Sequence, residues 1–156
     1  MKTSTVNELK KELGFLSQAK LLELCMRLVK YKKENKELLT YLLFESSDEI
    51  KYIKNLKQEI DSQFQEINKN NVYYAKKSLR KILRFTNKYI KYSGLKETEI
   101  ELRIYFCSKM KASKIPIDKS VVLTNLYTQQ LKKINLAMEK VHEDLKYDYQ
   151  QALEAL

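Results

Sequence analysis

Between Gly14 and Gly94 the chain contains neither glycine nor proline, and Pro116 is its single proline. Tight turns of β proteins draw on these residues for positive φ or for a fixed φ, so a sheet protein would need many more of them. Long helices joined by short links need almost none. At 156 residues the chain can build a real core. Its 44% hydrophobic and 32% charged residues mark it as globular rather than disordered. The expectation is therefore a single all-α domain over 1–156. It is a multi-helix bundle or a helical-hairpin array of about six to seven helices, with a long last helix. No fixed-period repeat points to a regular solenoid.

The pattern predicts short helices over 1–45 and long ones over 46–156. Thr3, Ser4 or Thr5 can cap a first helix that Gly14 ends, and Ser17 can cap a second over Gln18 to Lys33. Its apolar positions are Leu21, Leu22, Leu24, Cys25, Leu28 and Val29. Asn35 can cap a third helix through Phe44, with Leu38, Leu39, Leu42 and Leu43 buried. Ser46 or Ser47, followed by Asp48 and Glu49, is a start signal for a fourth, because acids favour the positive end of a helix. Ile50, Ile53, Leu56, Ile60, Phe64 and Ile67 then form one stripe at helical spacing.

A fifth helix is expected over 72–93, capped by Asn70 or Asn71 and ended by a left-handed Gly94. A sixth runs to about Ala112, with Ile100, Ile104, Cys107 and Met110 inward and Phe106 beside them. The segment 113–118, SKIPID, is the clearest break, since proline disfavours helix at its predecessor. Asp118 or Ser120 opens the last helix, expected to reach Gln150. Its positions Tyr127, Leu131, Ile134, Met138, Val141 and Leu145 make a heptad-like seam. That seam suits either an ordinary bundle helix or the interface of a homodimer.

Charge is concentrated. Residues 72–96 hold eight of the thirty basic residues and none of the twenty acids, a charge of +8 against +10 for the chain. On a helical wheel Ala75, Leu79, Ile82, Leu83, Thr86 and Ile90 share one stripe. Lys77, Arg80, Lys81, Arg84, Lys88 and Lys91 lie opposite, with Tyr74, Phe85, Tyr89 and Tyr92 along an edge. Two readings stand for this face. It neutralises phosphates, with aromatics to stack on unpaired bases. Or it is a solvated face, paired with acids such as Glu59, Asp61, Glu66, Asp144 or Asp148.

No catalytic constellation emerges. The single histidine, His142, with Asp144 and Asp148 falls short of a metal-ligand set. There is no glycine-rich phosphate loop, and no nucleophile has a locatable base. Cys25 and Cys107 occupy core-like positions and are expected to be buried thiols. The N-terminal segment lacks the apolar stretch of a signal peptide, and no run is long enough to span a membrane. The expectation is a cytoplasmic protein without a cofactor, a metal or an identified small-molecule substrate.

Two resemblances add to this. TVNELKKELGFLSQAKLLEL resembles the helix–hinge–helix DNA-binding motif called SAP, with Leu9, Leu13, Leu16, Lys20 and Leu24 at the matching positions. It departs from that motif in a short hinge and in Ala19, where glycine is usual. KYKKENKELLTYLLFE and YYAKKSLRKILR together resemble small, all-helical bacterial proteins with no assigned activity. The functional expectation is a non-enzymatic module for protein–protein contact, with self-association through the seam. The alternative is sequence-independent nucleic-acid binding through the basic helix.

Overall fold

The computed structural model describes residues 2–69 and 71–156. The described residues are helical with no strand, in the order α1 (Val6–Gly14), α2 (Gln18–Tyr31), α3 (Lys33–Thr40), α4 (Glu49–Gln65), α5 (Val72–Ser93), α6 (Lys96–Ala112), α7 (Val121–Met138) and α8 (Glu143–Glu154). The all-α expectation holds, but there are eight helices rather than six or seven. The extra one comes from the last segment, which does not run unbroken to Gln150. After Met138 the chain turns, and His142 becomes an N-cap whose Nδ1 accepts from the Asp144 N–H at 3.3 Å. Glu143 and Asp144 fill the first turn of α8. The triplet His-Glu-Asp is thus a helix-start signal that the continuing heptad spacing masked.

The chain divides into two compact units, one up to Phe44 and one over Glu45–Leu156. In the first, local signals are strong. Thr5 and Glu8 close a capping box, with Thr5 N–H donating to Glu8 Oε2 at 2.7 Å, and Ser17 caps α2. The α2–α3 link is the single extended residue Lys32. Asn35 does not cap α3, which starts two residues earlier; its Nδ2 donates to Leu28 O at 2.7 Å. No residue of α1, α2 or α3 is buried. Leu38 and Leu39 are half-buried and Leu42 and Leu43 exposed, so the expected inner face of this segment is not closed over. A π-helical turn, Tyr41–Glu45, follows α3.

The second unit holds nearly all of the buried apolar residues. Its centre is α6, which packs against α4, α5, α7 and α8. Accordingly α6 is buried on several sides: Ile100, Leu102, Phe106, Cys107 and Met110 are sealed from solvent, and the Phe106 ring meets Phe64 at 5.7 Å. Asp48, not Ser46 or Ser47, caps α4 through Lys51 N–H. The α4 stripe is buried from Ile53 to Ile67, but Ile50 is 84% exposed at the first turn. The SKIPID break is present: Lys114 takes φ of 60°, and a short 3-10 turn, Ile117–Lys119, leads into α7.

The seam residues are largely consumed inside this unit. Ile134, Met138 and Val141 are buried and Tyr127 and Leu131 half-buried; only Leu145, now on α8, lies at the surface. Burial of each large side chain is worth about 1.5–3 kcal/mol. Most of the seam therefore stabilises the chain's own fold.

A polar core runs through the same helices. Arg103 of α6 is buried, and its guanidinium donates to Asn87 Oδ1 of α5 at 2.9 Å and to Gln130 Oε1 of α7 at 2.7 Å. It also forms a two-pronged pair with Glu99 Oε1, at 3.0 Å from Nε and 2.9 Å from Nη2. Lys96 reaches the other Glu99 oxygen at 2.7 Å. Burial pushes the Glu99 carboxyl up, but the bonds from Lys96 and Arg103 outweigh it and hold the group below its ordinary range.

Candidate nucleic-acid interface

Helix α5 is defined at both ends by its own sequence. Asn71 Oδ1 accepts from the Tyr73 and Tyr74 N–H groups at 2.9 and 3.4 Å. The alternative cap, Asn70, lies outside the described residues. Gly94 sits at φ of 71°, in the left-handed region, and donates to Ile90 O at 2.9 Å.

The inner stripe is buried as its spacing predicts: Ala75, Leu79, Ile82, Thr86 and Ile90 are closed to solvent, and Leu83 is half-buried. Thr86 satisfies its hydroxyl within its own helix, donating to Ile82 O at 2.9 Å. With that side held against α4 and α6, the opposite side points to water.

There the cations stand. Lys77, Arg80, Lys81, Arg84 and Lys91 are exposed, and Lys88 is half-buried. Among the described residues, none of those five exposed cations has an acidic partner. Ion pairs of this unit seen among the described residues include Lys57–Glu101 at 2.8 Å, Lys96–Glu99, Arg103–Glu99, and Lys109–Asp61 at 2.8 Å. Asp61 is thus engaged by α6, and Asp144 lies against His142. An unpaired, solvated row of like charge raises the local potential for anions.

The aromatic edge separates into two kinds. Towards the C-terminal end the rings are packed. Phe85 meets Tyr89 at 4.7 Å, Tyr89 meets Tyr92 at 5.4 Å, and Lys88 Nζ lies 4.7 Å from the Tyr89 centroid. Tyr92 is buried, and Tyr52 donates its hydroxyl to Tyr89 O at 3.1 Å. Towards the N-terminal end the rings are open: Tyr73 is 66% and Tyr74 53% exposed, in edge-to-face contact at 5.5 Å.

Tyr73, Lys76, Lys77, Arg80 and Arg84 line one open basin of about 350 Å³. Tyr73 and Lys76 were missing from the sequence-derived contact set. The signal was present, since positions 73, 77, 80 and 84 follow the helical spacing of one face. Arg103 was also missed, although it falls on the inner face between Ile100 and Phe106.

A second polar cluster joins α4 to α6. Tyr105 donates to Asp61 Oδ2 at 2.7 Å, Lys109 pairs with Oδ1, and both Lys57 and Lys109 lie over the Tyr105 ring. Burial pushes the Tyr105 phenol up, and its bond to Asp61 adds to this; the bond to Asp61 raises the Lys109 ammonium as well. Burial opposes ionisation of Asp61, but Lys109 and Tyr105 hold its carboxyl below the usual range. Tyrosine and lysine both keep their protons, so the arrangement suits a structural ion pair.

The cysteines part company. Cys107 is buried, its thiol pushed up to about 12 mainly by burial. Cys25 is exposed, contrary to expectation, because α2 has no covering layer over that side. It lines a small apolar basin with Leu28, Val29, Leu38, Leu39 and Leu42. Among the described residues, no three His, Cys, Asp or Glu side chains converge as metal ligands, and no helix is long and apolar enough to cross a membrane. Of the residues aligned with the SAP motif, Leu9 and Leu13 are exposed and Leu16 and Leu24 half-buried. Compared with known proteins, the chain matches no family model, no curated protein and no solved structure.

Proposed function

We propose that this chain is a non-enzymatic helical module that binds the phosphate backbone of nucleic acid through the outer face of α5. The observation that carries this reading is the row Lys77, Arg80, Lys81, Arg84 and Lys91, exposed and without acidic partners among the described residues. Such a row gains affinity by releasing condensed counterions and reads no sequence. The proposed setting is the cytoplasm, where nucleic acid is at hand and an exposed thiol such as Cys25 stays reduced.

Fluorescence anisotropy with labelled oligonucleotides over a salt series tests it. Neutralising about four to six phosphates gives a log–log slope of roughly −3 to −5. Reversing Arg80, Lys81, Arg84 and Lys91 to Glu should abolish binding while leaving the circular dichroism melt in place. Unchanged affinity in that variant, or no binding at low salt, would end the reading.

The protein-contact reading draws on a different observation. The apolar faces of α1–α3 are open, including Leu22, Leu28 and the basin around Cys25. Light scattering across a concentration series addresses its self-association form; a strict monomer at high concentration removes that form.

A further inference from the structure

Resting on the backbone-binding reading, we infer that the basin at the N-terminal end of α5 is a single-strand site, in which one unpaired base stacks on Tyr73 while Lys76, Lys77, Arg80 and Arg84 take the neighbouring phosphates.

Three features lead there. First, Tyr73 is the most exposed aromatic of α5, and it shares the basin with those four cations and with no acid. Any base offers a π-face to such a ring, so the contact is tolerant of sequence. Second, the rings towards the C-terminal end of the helix are spent. Tyr92 is buried, and Tyr89 is packed between Phe85 and Tyr92 with Lys88 close to its face. A base therefore finds its platform at one end of the basic row only. Third, α5 is held along its inner stripe by α4 and α6. Only its outer face meets nucleic acid, and in a duplex the faces of the bases are closed by stacking on one another, so the Tyr73 ring would find none to stack on. A single strand lying along the same face presents phosphates and free bases together.

The dimensions agree. From Tyr73 to Arg84 the helix rises about 16 Å, the length of about five nucleotides at the 3.4 Å spacing of a stacked strand. The basin's volume of about 350 Å³ is in the range of sites for small ligands.

The experiment uses the full chain and four labelled ligands: a six-thymidine strand, its six-uridine counterpart, an abasic strand with the same phosphates, and a matched duplex. The inference expects the base-bearing strands to bind roughly 5- to 150-fold tighter than the abasic strand, the worth of one base on one ring. Tyr73→Ala should erase that difference, and Tyr73→Phe should keep it, with the same melt in all three proteins. The salt slope of the abasic strand should be about −3, from four phosphates at roughly −0.7 each. Equal affinity for abasic and intact strands, or tighter binding of the duplex, overturns the inference and leaves backbone binding standing. No binding of any of the four, or equal binding to polyglutamate, overturns the backbone reading itself. Preference between thymidine and uridine strands tells which nucleic acid the site suits; either preference supports the single-strand assignment if the abasic strand is the weaker ligand.

Discussion

The two units make opposite use of the same kind of helix. In both, side-chain caps set the starts: Thr5 and Ser17 in the first, Asp48 and Asn71 in the second. In both, apolar residues recur at helical spacing. In the second unit the stripes of α4, α5 and α7 converge on α6 and disappear from solvent. In the first, α1–α3 bury nothing, and Phe15, Leu22 and Leu28 stay open. Periodicity thus reports which face is apolar, not whether anything covers it. Helices of nine, fourteen and eight residues gain little from propensity alone, since most helical stability comes from packing.

Hydrogen exchange gives the largest expected contrast. Amides in the middle of α5 and α6 should exchange only on global opening, at about 5–15 kcal/mol. Those of α1 and α3 should exchange close to freely. Equal protection in both units would erase the distinction.

Side-chain truncation comes next. Arg103→Ala removes a buried guanidinium and strands Glu99, Asn87 and Gln130, at a cost of about 3–5 kcal/mol. Leu22→Ala in the first unit should change stability by less than about 0.5 kcal/mol. Chemical denaturation reads both, and similar losses for the two variants would contradict the burial pattern.

The smallest effect is one of pH. Glu99 is held below its ordinary value of 4.5 in the folded state, despite the burial that opposes ionisation. Its contribution is therefore fully present above that value and is lost as the pH falls through the folded one. Glu99→Gln should be less stable than wild type at neutral pH and should lose less on acidification. Parallel stability curves for the two proteins from pH 7 to 3 would refute it.

Much of this was legible in the residues. The scarcity of glycine and proline fixes the all-α class, and Gly94, Pro116 and the caps mark most boundaries. The basic face was legible because a charge run opposite an apolar stripe can only point outward. What escaped depended on the third dimension. Cys25 and Leu42 have core-like spacing but no layer above them. Arg103 is charged yet inward, because Asn87 and Gln130 arrive from other helices to receive it. Val141 lies between α7 and α8 and remains buried, so heptad spacing carried past a break in the backbone. Tyr73 and Tyr92 are both tyrosines of one helix, and only packing tells which ring is free.

The Arg103 fork also acts as a key between helices. Its donors fit acceptors on α5 and α7 at one axial position only. Sliding α5 by one turn, about 5.4 Å, would leave the guanidinium without Asn87 inside a dry interior. An all-leucine interface would tolerate several such registers with similar energies. The unit is thereby confined to one alignment, and the row of cations on the far side of α5 inherits a fixed azimuth and height that apolar packing alone would leave free to drift.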